Sequence, residues 1–334
     1  MKPLLCVNER GIYCERADLY IDPWRPVKHA LITHAHSDHA RWGSEKYLCH
    51  PDTVPILRLR LGADIQVQSL PYGEQLVIHG VKFSFHPAGH ILGSAQIRVA
   101  YRDEIWVVTG DYKLLDDGLS QPYEPVSCHH MITESTFGLP VYTFRSPSAI
   151  YDEIKDWWLE NRLQGVNTVL LCYALGKAQA ILNHLHENAD APILLHGAVA
   201  NVNQAFASVG YQFAGRRLDT EQADKPPDGA LIIAPPSALG SPWMRRLGAY
   251  RVAMCSGWMQ LRGARRRRGV DKGFVLSDHC DFRQLNEAID LAGAEHVYVT
   301  HGYERQFTRW VQEERGIHAE VMNTLYEDIE REEL

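Results

Sequence analysis

A chain of 334 residues has room for one large domain or two medium ones, each with an ample core. A hydrophobic content of 45% and a charged content of 22% are those of a soluble globular protein, and no apolar run approaches the roughly 20 residues of a membrane span. The formal charge of -7 excludes a generic nucleic-acid coater but not a local basic groove, because a phosphate chain responds to the nearby field. The N-terminus has neither the basic nor the apolar region of a signal peptide. Seven cysteines without a C-x-x-C pair read as reduced thiols, so a cytoplasmic location is expected. Part of the acid sits in the tail from Tyr326 to Leu334, expected as a solvated end.

In chain order, residues 12 to 32 read as short strands joined by turns, one of them closed by Asp22-Pro23. The run Leu31-Ile-Thr-His-Ala-His-Ser-Asp-His39 follows, then an apolar segment, Val54 to Leu61, fit for a short helix. Alternating Val81, Phe83 and Phe85 predict a half-buried strand that runs into Pro87-Ala-Gly-His90. Gln96 to Ala100 and Ile105 to Val108 read as paired strands about a turn, the second ending at Thr109-Gly110-Asp111. Met131 to Thr133 is another apolar stretch, ending at Glu134. Near Pro140 the texture changes. Pro147 and Ser148 open a helix with an apolar face at Ile150, Ile154, Trp157 and Trp158. Strands at Thr168–Cys172, Pro192–Leu195, Leu231–Ala234 and Tyr250–Cys255 then alternate with helices, including a short one at Trp243. Such alternation implies a parallel sheet covered on both faces. Trp157, Trp158, Trp243 and Trp258 are read as core or seam. After Gly273 the first texture returns, with a strand at Phe274–Leu276 ending at Ser277-Asp-His279, a helix from Phe282 to Leu291, and a strand from Val297 to Thr300 ending at His301. The layout is nested: one domain from residues 1–140 and 270–334, with an α/β domain, 141–269, inserted.

Seven side chains at or just after predicted strand ends carry metal-binding atoms: His34, His36, Asp38, His39, His90, Asp111 and His301. Two imidazoles two apart on extended backbone point to one side. Imidazole together with carboxylate suits zinc or a similar divalent ion. One ion would take His34, His36 and His90, the other Asp38, His39 and His301, with Asp111 bridging. Two such ions are a device for phosphoryl displacement, zinc being expected first and manganese second. The leaving alkoxide still needs a proton, for which His279 is the candidate acid and Glu134 the carboxylate that orients its ring. Asp38 is counted with these catalytic candidates as well as with the ligands. Asp22 is a possible partner of a ligand histidine.

The run Arg262-Gly-Ala-Arg-Arg-Arg-Arg268 holds Arg262, Arg265, Arg266, Arg267 and Arg268 shortly before His279, and is read as a grip on a phosphate backbone. Lys177, opening a helix after Leu175-Gly176, is a further candidate for meeting phosphate. There is no full P-loop, which disfavours nucleotide hydrolysis.

His34-Ala-His-Ser-Asp-His39 resembles the signature of the metallo-β-lactamase superfamily. The order His90, Asp111, Glu134, His279 and His301 resembles its nucleic-acid-processing β-CASP branch. Pro87–Ala95, Thr133-Glu-Ser-Thr-Phe-Gly138, Ala174-Leu-Gly-Lys-Ala-Gln179 and Ser256-Gly-Trp-Met259 are similar to its local strings. The resemblance implies an αββα sandwich with an inserted β-CASP α/β domain covering the metal cleft, and gives Glu134, His279 and His301 the branch-specific positions. With Tyr20-Ile-Asp-Pro-Trp24 and the arginine run, the whole chain is similar to bacterial exonucleases associated with an ATP-dependent DNA ligase. That implies a DNA exonuclease in repair. The histidine at 301 is more typical of RNA-processing members, so RNA is the second expected substrate. A small-ester or thioester metallohydrolase needs neither the insertion nor His279, and a non-catalytic scaffold needs no intact ligand set.

Overall fold

The computed structural model describes residues 3–185, 191–218, 226–261, 263 and 269–325. The described residues divide into two compact units, one within 3–116, 120–143 and 279–325, the other within 117–119 and 144–278.

The first unit opens with six short strands, β1 (Cys6–Asn8), β2 (Gly11–Cys14), β3 (Leu19–Ile21), β4 (His29–Leu31), β5 (Lys46–Cys49) and β6 (Val67–Ser69), with helix α1 (Val54–Leu61) before the last. They form one sheet in sequence order, antiparallel over β1–β3 and parallel from β3 to β6. Next come β7 (Gln75–Ile78), β8 (Val81–Pro87), β9 (Ala95–Tyr101), β10 (Glu104–Val108) and β11 (His130–Glu134). The alternation expected in β8 holds only in part: Val81, Phe83 and Phe85 are buried and Lys82 is exposed, but Ser84 is buried as well.

The chain then builds the second unit from α2 (Pro147–Leu163), β12 (Asn167–Leu171), α3 (Lys177–His184), β13 (Ile193–Leu195), α4 (Gly197–Ala207), β14 (Arg216–Arg217), β15 (Leu231–Ala234), β16 (Tyr250–Cys255) and β17 (Lys272–Phe274). All pairings in this sheet are parallel, in the order β14-β13-β15-β12-β16-β17. Its core joins Ile150, Ile154, Trp157 and Trp158 of α2 to Leu170, Ile193, Leu231, Ile233 and Ala253 of the strands. Trp258 is buried too, while Trp243 is half-buried, its ring edge-on to His196 4.8 Å away.

The strand expected at Phe274–Leu276 lies instead at Lys272–Phe274 and pairs with β16, so the α/β unit runs on to Asp278 rather than stopping at 269. Phe274 and Leu276 both enter the α/β core; apolar character marks burial but not which sheet supplies it.

Back in the first unit, α5 (Phe282–Ala292), β18 (His296–Thr300), α6 (Glu304–Glu313) and β19 (His318–Val321) complete the second sheet, in the order β19-β18-β11-β10-β9-β8-β7. Helix α5 starts where the Asp281 carboxylate accepts the Gln284 N–H at 2.9 Å, and ends at Gly293 with φ 60, a left-handed stop. It buries Leu285, Ala288, Ile289 and Ala292 against Met131, Val297 and Val299, each large aliphatic side chain contributing about 2 kcal/mol. The other face of that sheet shares a core with the first sheet, through Ile12, Leu19, Ile21 and Leu31 against Phe83, Phe85, Ile97, Val99 and Val108. Helix α6, the strands β6, β7 and β19, and their placement were not expected from the pattern. Among the described residues no helix is long and apolar enough to cross a membrane.

Candidate metal centre

Polar residues leave the strand ends of both sheets in the first unit and meet at one edge. Asp22 follows β3, Thr33 and His34 follow β4, and His90 sits in the loop after β8. Asp111 follows β10, Glu134 ends β11, and His301 follows β18. Strands β10, β11 and β18 are neighbours and parallel, with Glu134 paired to Thr300, so three functional side chains emerge side by side. The two sheets are tied here by the Ala95 N–H, which donates to Thr33 O at 2.8 Å. Backbone strain marks the same edge: Asp22 and His301 have φ of 42 and 54, a region that ordinary residues rarely occupy. Gly110 (φ 57) is required because a Cβ there would lie 2.6 Å from Thr33 Oγ1.

Ligating atoms of His34, His36, His90 and Asp111 lie within 4.8 Å of one another, as do those of Asp38, His39 and His301. The Asp111 carboxylate stands between the groups. Its Oδ2 is 3.3 Å from His34 Nε2 and 3.8 Å from His90 Nε2, while its Oδ1 is 3.3 Å from His39 Nε2. Asp38 Oδ2 is 3.5 Å from His39 Nε2 and 3.6 Å from His301 Nε2. His39 and His301 stack with ring centroids 5.0 Å apart, and His36 Nδ1 lies 3.0 Å from His90 Nε2.

These residues fit a pair of divalent cations. His34 Nε2 and Asp111 Oδ1 are fully buried with no hydrogen-bond partner, and buried polar atoms of that kind are costly unless a ligand meets them. Burial, followed by the charge of His39, lowers the His34 pKa to about 4, and burial with His279 and His34 holds His90 well below the usual imidazole range. Neutral imidazoles keep a lone pair to offer. Burial opposes charge on His39 as well, yet Asp111 and Asp38 outweigh it and hold its pKa well above the ordinary value. Burial likewise works against the carboxylates of Asp111 and Asp38, but His39 and its neighbours keep both ionised. A buried centre that draws positive charge onto an imidazole is one that a cation would satisfy. The nitrogen and oxygen donor set suits zinc or manganese.

Asp22 holds one ligand in place. Its carboxylate accepts the Thr33 N–H (2.8 Å), the Thr33 hydroxyl (2.5 Å) and His39 Nδ1 (2.7 Å).

Beside the ligands, His279 Nδ1 lies 2.9 Å from Glu134 Oε2. The Glu134 carboxylate also accepts the Tyr112 N–H at 2.9 Å and the Thr136 hydroxyl. Cys280 N–H donates to Tyr112 O at 2.9 Å, which pins the start of α5 and so the backbone next to His279. Asp111, Glu134 and His279 bring ligating atoms within 4.8 Å of one another, so the acid candidate borders the ligand cluster.

One expectation falls elsewhere. Lys177 does not face solvent: it is 2% exposed, and its Nζ lies 3.1 Å from Asp278 Oδ1 and 4.8 Å from the Tyr173 ring centroid. The Gly176 N–H at that helix start is taken by the Gln179 side chain at 2.7 Å. A buried, paired lysine is held by its own fold, so the expected phosphate contact is not available to it. Arg262, Arg265, Arg266, Arg267 and Arg268 lie outside the described residues. Thr33, Tyr112, Thr136 and Thr300 were not foreseen. The dipeptide Thr-His recurring at two strand ends was the signal for two of them.

The chain matches no protein-family model. It is 32% identical over 314 residues to a probable DNA ligase of Opitutus terrae, a match spanning 92% of this chain and 30% of that protein. It is 26% identical over 216 residues to an RNase J-like protein of Methanocaldococcus jannaschii, spanning 55% of this chain and 51% of the other. The chain thus covers about half or less of the length of these relatives. A solved structure of a protein of unknown function from Enterococcus faecalis V583 shares the fold, with a TM-score of 0.60 over 90% of this chain and 80% of that one at 11% identity.

Proposed function

Because the chain belongs to the β-CASP branch of the metallo-β-lactamase superfamily, we propose that it is a metal-dependent nuclease that hydrolyses phosphodiester bonds of DNA, as an exonuclease in repair. The observation that carries this reading is the pairing of a seven-ligand cluster, shared through Asp111, with the adjoining His279–Glu134 pair. His34, His36 and His90 would hold one cation and Asp38, His39 and His301 the other, with Asp111 between them. When bound, two zinc or manganese ions acidify water and neutralise the charge that builds on phosphate.

The protein's own part is proton transfer and alignment. His279 hands a proton to the leaving alkoxide, and Glu134 fixes its ring through Nδ1 so that the opposite nitrogen faces the substrate. Tyr112 and Thr136 hold Glu134 still. Asp38, between His39 and His301, serves among the ligands and keeps those rings aligned. The arginine run from Arg262 to Arg268 grips the backbone, a role that would show as a salt-dependent affinity.

DNA is favoured by the extent of the match to the probable DNA ligase, from which a functional association with an ATP-dependent ligase is also proposed. A second reading, RNA processing, is favoured by the histidine at 301 and by the RNase J-like relative. The test is digestion of end-labelled single-stranded DNA, duplex DNA and RNA, and of closed circles, by the metal-loaded chain. Cleavage of linear DNA with circles spared supports a DNA exonuclease. Cleavage of RNA alone replaces it with the second reading, and thioester turnover without nuclease activity ends both.

A further inference from the structure

Two of the ligand histidines follow a threonine, and each threonine hydroxyl has one hydrogen. Thr33 spends its hydrogen on Asp22 Oδ2 at 2.5 Å, since a carboxylate can only accept. For Thr300 the acceptor offered is the carbonyl of Thr133 at 3.2 Å, which can only accept. Each hydroxyl oxygen also lies 3.1 Å from Nδ1 of the next residue, His34 or His301. With its hydrogen committed elsewhere, the oxygen can only accept there. In that arrangement Nδ1 carries the proton, and the Nε2 lone pair is left for the centre. Those Nε2 atoms are the ones near carboxylate oxygens, 3.3 Å from Asp111 for His34 and 3.6 Å from Asp38 for His301. A lone pair facing a carboxylate oxygen is repulsive without a cation between them.

We propose that Thr33 and Thr300 are positioning residues that lock His34 and His301 as Nδ1–H tautomers and so aim each Nε2 at a divalent cation. The backbone enforces the arrangement. Gly110 leaves space for the Thr33 side chain, and Gly302 (φ 72) lets the chain after His301 pass where a Cβ would lie 2.4 Å from Ser135 O. The two threonines differ in reach. Thr300 acts on His301 alone, whereas Thr33 also sets Asp22, which holds His39 through Nδ1. This inference rests on the reading of the cluster as a two-cation centre.

The experiment compares Thr300→Val, Thr33→Val and the corresponding serine variants with the unaltered full chain, by elemental analysis and by chelator competition for zinc. Loss of such an orienting partner typically weakens metal binding roughly 10–100-fold. Thr300→Val should weaken one ion of the two, Thr33→Val should weaken both, and serine at either position should restore binding. Imidazole nitrogen NMR of the unaltered, zinc-loaded chain needs no variant to fold and should show His34 and His301 as Nδ1–H tautomers. Nε2–H tautomers in that spectrum, or valine variants that hold two ions at unchanged affinity, would overturn the assignment. If the unaltered chain binds no divalent ion, the two-cation reading fails and not merely the role of the threonines.

Discussion

Two buried polar clusters, one in each unit, show opposite ways of placing charge inside a protein. In the α/β unit Lys177 and Asp278 are 2% and 4% exposed and meet at 3.1 Å, so the charges cancel within the fold. In the other unit Asp22, Asp38, Asp111 and Glu134 are all nearly inaccessible and converge with imidazoles on one edge, where the pKa of His39 is drawn upward. The first pairs one charge of each sign, whereas four carboxylates among imidazoles ask for a cation. Burial of charge alone does not identify a site; its imbalance does.

The contrast can be broken by substitution. Asp111→Ala removes the group shared by both ligand sets, so at least one cation and essentially all cleavage should be lost; near-normal metal content by elemental analysis would show that it does not bridge. His279→Ala should keep both cations and substrate affinity while kcat falls roughly 10²–10⁴-fold, the usual contribution of a placed general acid. Parallel loss of metal would make it a ligand instead. Lys177→Met should leave metal content unchanged and lower unfolding stability by about 3–5 kcal/mol in a denaturant titration, because Asp278 keeps a buried charge without its counter-charge. A raised KM at unchanged stability would return Lys177 to the substrate. The smallest effect expected is that of Asp22→Asn, which weakens the hold on His39 and should lower metal affinity roughly 10–100-fold without abolishing it. Unchanged affinity would mean that Asp22 serves only the turn before Pro23.

Most of the residues gathered at this edge are legible in the sequence. Histidine and aspartate packed into His34–His39 behind an apolar strand have few structural uses, and Asp111, Glu134 and His301 each follow a run with clear strand character. Lys177 shows the limit of such reading, because a basic side chain looks the same in sequence whether it faces solvent or a buried carboxylate. Its partner, Asp278, lies far along the chain. The segment at 272–276 misled for a related reason, since β-strand periodicity carries no statement of which sheet will accept the strand.

Local chemistry determined which side chains could bind a cation and roughly where strands and helices begin, because periodicity, caps and ligand types are short-range properties. Only the tertiary structure decided that residues from β3, β4, β8, β10, β11 and β18 share one edge, and that the hydroxyls of Thr33 and Thr300 each stand between an acceptor oxygen and a ligand imidazole. Such facts depend on distances between residues remote in sequence, and on where each donor's single proton goes. Neither is written in any local stretch of the chain.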